Sequence, residues 1–179
     1  MKGRLLAILF VFACLAGSSQ DRTIKLDAKL TAVEASKKIP VATVSLYDGG
    51  IKIDSTVTQN GRCFFDLKEN HSYKIVFSKT GYVSKFLLLE TTNIPAKAKK
   101  KLTVKVEMTL FTEKKGLKVD FLKTKPIGVA RYEEIYKKIK WDEDYTRAID
   151  ELIIHATLDY HKKKKLGLLD VKSDSARTN

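Results

Sequence analysis

The stretch Lys74–Lys85, KIVFSKTGYVSK, decides the fold. With Tyr73 before it, Tyr73, Ile75 and Phe77 alternate with Lys74, Val76 and Ser78, so one side is apolar and the other mostly polar. A period of two marks a half-buried strand, because successive side chains leave a strand on opposite faces. Thr80-Gly81 interrupts the pattern with a glycine free to take the positive φ that a turn often needs, and Tyr82 re-enters as an aromatic strand residue. The stretch therefore reads as strand, tight turn, strand.

The same period recurs on both sides. Ile24, Leu26, Ala28 and Leu30 alternate in a first strand, and Ala42, Val44 and Leu46 form the inward face of a second that starts at Pro40, where proline costs no ladder bond. Asp48-Gly49-Gly50 and Gln59-Asn60-Gly61 are hairpin-type turns that bracket a third strand from Ile51 to Val57. Cys63, Phe65 and Leu67 alternate in a fourth, and Glu69-Asn70-His71 turns into the fifth, containing Tyr73 to Phe77. The sixth is expected over Tyr82 to Thr91, buried on both sides at Phe86 to Leu89. After the basic linker NIPAKAKKK, Leu102, Val104, Val106, Met108 and Leu110 give the clearest alternation in the chain. Seven short strands punctuated by turns predict a mainly β fold, an antiparallel β-sandwich over 21–112.

The pattern changes beyond Phe111. Residues 113–141 form an extension in which Leu117–Leu122 and Ile127–Tyr132 are each read as short strands, split by Lys125-Pro126, while Glu133–Lys140 has no clear period. An amphipathic helix is expected over 142–165. Asp142 is its N-cap, and the acidic run Asp142-Glu143-Asp144 suits the positive end of the helix dipole. Tyr145, Ala148, Ile149, Leu152, Ile153 and Ala156 recur at steps of three and four, and Lys162–Lys165 complements the other end of the dipole before Gly167. A flexible tail is expected over 166–179.

Four segments carry a family resemblance: Lys38-Ile39-Pro40-Val41-Ala42-Thr43-Val44, the Asn60-Gly61 turn before a Phe-bearing strand, Tyr73-Lys74-Ile75, and Lys79-Thr80-Gly81-Tyr82. Through them the region from Ile24 to Phe111 resembles the carboxypeptidase regulatory-like domain of the transthyretin-like (prealbumin-like) superfamily. The chain has Thr58 and Cys63 where that family often has Asp and an aromatic residue. The resemblance implies a seven-stranded antiparallel Greek-key β-sandwich, used as a non-catalytic accessory or binding module on small bacterial secreted or envelope proteins.

The 179-residue chain carries a formal charge of +13. Lys2 and Arg4 precede an apolar run from Leu5 to Ala16, followed by small residues. This reads as a signal peptide over 1–20, too short to span a bilayer. The chain is accordingly expected to be secreted to the periplasm or cell envelope. The alternative is a lipoprotein anchored at Cys14, since Val11-Phe12-Ala13-Cys14 resembles a lipobox; Phe12 and the apolar run beyond Cys14 favour ordinary cleavage. Residues 1–20 hold two of the 34 basic residues and none of the 21 acidic ones, so the remainder carries +11. Cys63 is then the one cysteine left, no intrachain disulfide is possible, and Cys63 reads as a small buried hydrophobe.

Catalytic patterns are missing. A zinc carboxypeptidase needs His followed three residues later by Glu, but His71, His155 and His161 are followed at that step by Lys74, Leu158 and Lys164. No G-x-S-x-G, P-loop or G-x-G-x-x-G occurs. No cofactor and no metal is expected, and the protein is not expected to be an enzyme; a cryptic hydrolase is the least favoured reading. Two features can carry binding. Lys97, Lys99, Lys100 and Lys101, with Lys162, Lys163, Lys164 and Lys165, can contact an anionic lipid or polysaccharide surface. Neither run interleaves arginine with aromatics, so no nucleic-acid partner is expected. Trp141, Tyr145, Ile149, Leu152 and Ile153 can form a packing or partner face. The preferred expectation is a non-enzymatic module that binds or scaffolds an envelope protein or glycan. The alternative is an electrostatic binder of anionic lipid or polysaccharide through the lysine clusters.

Overall fold

The computed structural model describes residues 22–32 and 41–169. The leader, Cys14, Lys38–Pro40 and the end of the tail lie outside the described residues. Among the described residues nine strands form two sheets: β1 (Thr23–Ala32), β2 (Thr43–Asp48), β3 (Ile51–Val57), β4 (Arg62–Leu67), β5 (Ser72–Ser78), β6 (Lys85–Glu90), β7 (Lys101–Leu110), β8 (Val129–Glu133) and β9 (Lys138–Trp141). The smaller sheet has the order β4-β1-β7 and the larger β3-β2-β5-β6-β8-β9. One helix, α1 (Glu143–Lys165), follows.

The alternating residues make the core. Ile24, Leu26, Ala28 and Leu30 of β1 and every second residue of β7 from Leu102 to Leu110 face Val44 and Leu46 of β2, Tyr73, Ile75 and Phe77 of β5, and Leu87 and Leu89 of β6. Each such side chain contributes at most about 2 kcal/mol through burial. The mainly β fold is as the pattern predicts, with two strands more than seven. The additions, β8 and β9, come from the extension and lengthen the larger sheet beyond β6.

Two pairings are parallel rather than antiparallel, β1 with β7 and β6 with β8. Alternation reveals which face a strand buries and not the direction of its neighbour. Both pairs are joined through long stretches of intervening chain, as parallel neighbours require. The sixth strand is also shorter than expected. Tyr82 N–H stays in the turn, bonded to the Lys79 carbonyl, and Val83 N–H bonds the Phe111 carbonyl, so the chain joins β5 only at Lys85. In the extension, Leu117–Leu122 is not a strand: Asp120–Lys123 is a 3-10 turn. Val119 and Leu122 both point inward, and their spacing of three fits a turn of helix and not a strand. Glu133–Lys140, unreadable from periodicity, holds the end of β8, a tight turn over 134–137 with Lys137 at φ 52°, and most of β9.

The helix begins as expected. The Asp142 side chain accepts a hydrogen bond from Tyr145 N–H at 3.0 Å. Its end is a Schellman turn: Gly167 N–H bonds the Lys164 carbonyl, Leu168 N–H bonds the Lys163 carbonyl, and Gly167 has φ +67°. α1 does not lie on the sandwich core. It packs on a second cluster built from Val119, Leu122 and Ile149, with Phe111, Leu117 and Ile127 at its border. Ile149 is 3 % exposed and Ile153 packs at the margin, but Leu152 is 41 % exposed. The expected face is thus rotated: Tyr145, Ile149, Ile153, Ala156 and Tyr160 point inward, and Leu152 does not.

Candidate binding site

β7 is an edge strand of the smaller sheet. Along a strand, the backbone N–H and C=O of alternate residues point to the same edge. Thr23 N–H bonds the Lys100 carbonyl, so even-numbered residues of β7 face β1 and odd-numbered ones face the open side. Two of those open carbonyls are capped by side chains from the other sheet. Trp141 Nε1–H donates to the Lys105 carbonyl at 3.0 Å, and Lys85 Nζ donates to the Thr109 carbonyl at 2.7 Å. Glu107 lies midway, so its backbone N–H and C=O face the gap between the two caps.

That gap is a groove of about 540 Å³ between β7 and the start of α1. Leu87, Met108, Ile127 and Trp141 supply apolar lining, and Gly128 keeps one wall low. A Cβ at Gly128 would sit 3.3 Å from the Trp141 ring. Glu143, Arg147 and Asp150 of α1 form the rim opposite Lys105 and Glu107. Arg147 reaches Asp144 at 3.3 Å and Glu143 reaches Lys140 at 3.6 Å, so much of the rim charge is locally matched.

Lys85 falls within the sixth strand expected from sequence, and its pattern there names it for no site. It is 6 % exposed, with its ammonium 4.3 Å from the centre of the Phe111 ring. Burial pulls its pKa down to about 8, with Asp150 opposing part of the shift. A lysine directly before the apolar run Phe86–Leu89 is the sequence signal for this role. Cys63 is buried as expected, and burial, reinforced by Asp27, pushes its thiol up to about 11. His71 Nδ1 lies 2.6 Å from Asp48 and its ring stacks on Tyr73, which fixes the hairpin end of β2 to the start of β5. Among the described residues no three His, Cys, Asp or Glu side chains converge as a metal site, and no helix is long and apolar enough to cross a membrane.

The residues named for the partner face divide. Trp141 lines the groove, and Tyr145 instead donates its hydroxyl to the Pro126 carbonyl at 2.9 Å and anchors α1. Ile149 and Ile153 are structural, and Leu152 faces outward. The two lysine runs are not brought together. Lys97–Lys101 lies at the start of β7, where Lys97 pairs with Glu134 at 3.0 Å. Lys162–Lys165 lies beyond the end of β7, where Lys164 shares a pocket with Lys114 and Lys115. The ten residues of β7 between these ends span about 33 Å.

No protein-family model and no curated protein matches the chain. Three solved structures share part of its architecture. The TIE protein of Bacillus anthracis is 17 % identical over 51 % of this chain and 18 % of its own, with a TM-score of 0.41. CueP is 14 % identical over 50 % of this chain and 62 % of its own, with a TM-score of 0.34. The 3-chlorocatechol 1,2-dioxygenase of Rhodococcus opacus is 11 % identical over 51 % of this chain and 60 % of its own, with a TM-score of 0.33. The aligned region thus spans less than two thirds of each.

Proposed function

We propose that the protein is a secreted, non-enzymatic β-sandwich module that holds a short extended segment of a partner envelope protein in the groove along the free edge of β7. The observation that carries this reading is the open-edge backbone of Glu107, which no side chain among the described residues caps, set between the capped carbonyls of Lys105 and Thr109 over an apolar floor. An extended peptide satisfies such an edge through its own N–H and C=O, and its side chains fill the adjoining apolar space. The caps at Lys105 and Thr109 bracket the stretch that overlies the groove, so the segment held there is a few residues long and not a full added strand. The resemblance of residues 24–111 to carboxypeptidase regulatory-like domains supports a binding role without chemistry, and the leader-like segment over 1–20 supports an envelope setting.

The test is selection of short peptides from a random library, followed by amide-resolved NMR. The Glu107 amide is expected to shift on binding, and N-methylation of one peptide position is expected to abolish it. Gly128→Ala, whose Cβ meets the Trp141 ring at 3.3 Å and narrows the groove, is expected to weaken binding by about threefold or more while costing about 1 kcal/mol or less in a urea melt. Peptides that bind without moving the Glu107 amide would place recognition elsewhere and overturn the reading.

A further inference from the structure

The end of α1 carries a feature that the groove does not use. Lys162, Lys164 and Lys165 stand in its last turn, and Lys164 lines a pocket of about 390 Å³ together with Lys114, Lys115, Tyr160, Gly167 and Leu169. Lysines from two stretches of the chain, the segment after β7 and the last turn of α1, thus meet at one end of the molecule. The acidic side chain nearest to them on the helix, Asp159, is held by Lys163 at 2.6 Å. Apolar residues stand among these cations. Ile154 and Leu158, one turn apart, lie on the outward side of the helix, and Leu166 and Leu168 flank the Gly167 turn; all four are 55–62 % exposed. The inward side of the same helix is already occupied by Ile149, Ile153 and Tyr160.

We propose that this end of the protein docks on an anionic membrane surface, with the lysines on lipid phosphates and Leu166 and Leu168 in the outer part of the acyl layer. Clustered lysines are drawn to a negative leaflet within a Debye length, about 8 Å at physiological salt. Charge alone fits any polyanion. The exposed leucines beside the lysines favour a membrane, because lipid offers both phosphate and hydrocarbon in one surface, whereas a polysaccharide or nucleic acid offers no place to bury them. The Schellman turn at Gly167 reverses the chain and so presents Leu166 and Leu168 at the tip. The groove lies toward the other end of α1, so a docked molecule keeps it open to solvent. The inference stands apart from the peptide reading.

Vesicle flotation tests it, on the chain lacking residues 1–19 so that the apolar leader cannot bind lipid itself. Vesicles of phosphatidylcholine and phosphatidylglycerol in about equal parts are expected to carry the protein, and vesicles of phosphatidylcholine alone are not. Lys162→Glu/Lys164→Glu/Lys165→Glu is expected to weaken binding by about tenfold or more. Lys99→Glu/Lys100→Glu/Lys101→Glu, with the same charge change at the far end of β7, is expected to stay within about twofold of wild type. Leu166→Ser/Leu168→Ser, with no charge change, is expected to weaken binding by about threefold or more. The proposal is overturned if the anionic vesicles fail to carry the protein or if the far-end variant loses as much as the near one. It is equally overturned if the leucine variant binds like wild type while soluble polyglutamate competes fully, which would make the patch a general polyanion site.

Discussion

Lys85 Nζ donates to the Thr109 carbonyl at 2.7 Å from beneath the Phe111 ring, and so ties the first residue of β6 in one sheet to the open edge of β7 in the other. With Trp141 on Lys105, this contact caps two carbonyls of an edge that would otherwise offer a longer row of unpaired backbone groups. A buried lysine serves well here because its Nζ reaches across and donates. The cost is desolvation of the charge, visible in a pKa lowered to about 8.

That shift makes stability depend on pH. Below about 8 Lys85 is charged in both states and the burial penalty is felt in full. Between there and its ordinary value of 10.5 the unfolded chain keeps a proton that the folded chain has released, so stability rises with pH. Relative to Lys85→Met, the wild type is expected to gain roughly 2 kcal/mol between about pH 7 and pH 9.5. Urea melts of both proteins at the two pH values read the difference directly. Equal pH slopes would mean that Lys85 is not desolvated.

Trp141 contributes packing and a cap, and the two separate by substitution. Trp141→Phe keeps an aromatic ring against Gly128 but leaves the Lys105 carbonyl without its donor. A loss of about 1 kcal/mol is expected in thermal or urea unfolding. Trp141→Ala also removes the ring and is expected to cost about 3 kcal/mol or more.

The sandwich was legible because its strands bury one face and expose the other. Each inward residue of β7 from Leu102 to Leu110 is visible as alternation. β8 and β9 were less so: they are short, and Tyr132 and Trp141 are only partly buried, which blurs the period. The groove was not legible at all. Lys85, Glu107, Gly128, Trp141 and Asp150 meet only through tertiary packing, and no local spacing links them. The strand β3 shows the converse limit. Ile51, Ile53 and Val57 mark it as a strand, yet they stay exposed because the three-stranded sheet does not reach beneath it.

The helix face offers a sharp contrast between neighbours. Ile149 is buried against Val119 and Leu122, whereas Leu152 points to solvent. Ile149→Ala is expected to lose about 3 kcal/mol, and Leu152→Ala to stay within about 0.5 kcal/mol of wild type. If both were costly, α1 would be rotated toward the face that its sequence periodicity favours.

The thiol of Cys63 should be inert as long as the sandwich is closed. It sits on the inward side of β4, opposite Ala28 of β1, and its pKa of about 11 leaves almost no thiolate at neutral pH. A thiol-reactive dye is therefore expected to label Cys63 only as fast as the core opens, with a rate that climbs steeply in urea below the unfolding midpoint. Substituting Asp27 by Asn removes the charge that reinforces the shift but not the burial that dominates it, so labelling in native buffer should stay slow. Rapid labelling of the wild type in native buffer would show instead that β4, an edge strand of the smaller sheet, detaches from β1 without global unfolding.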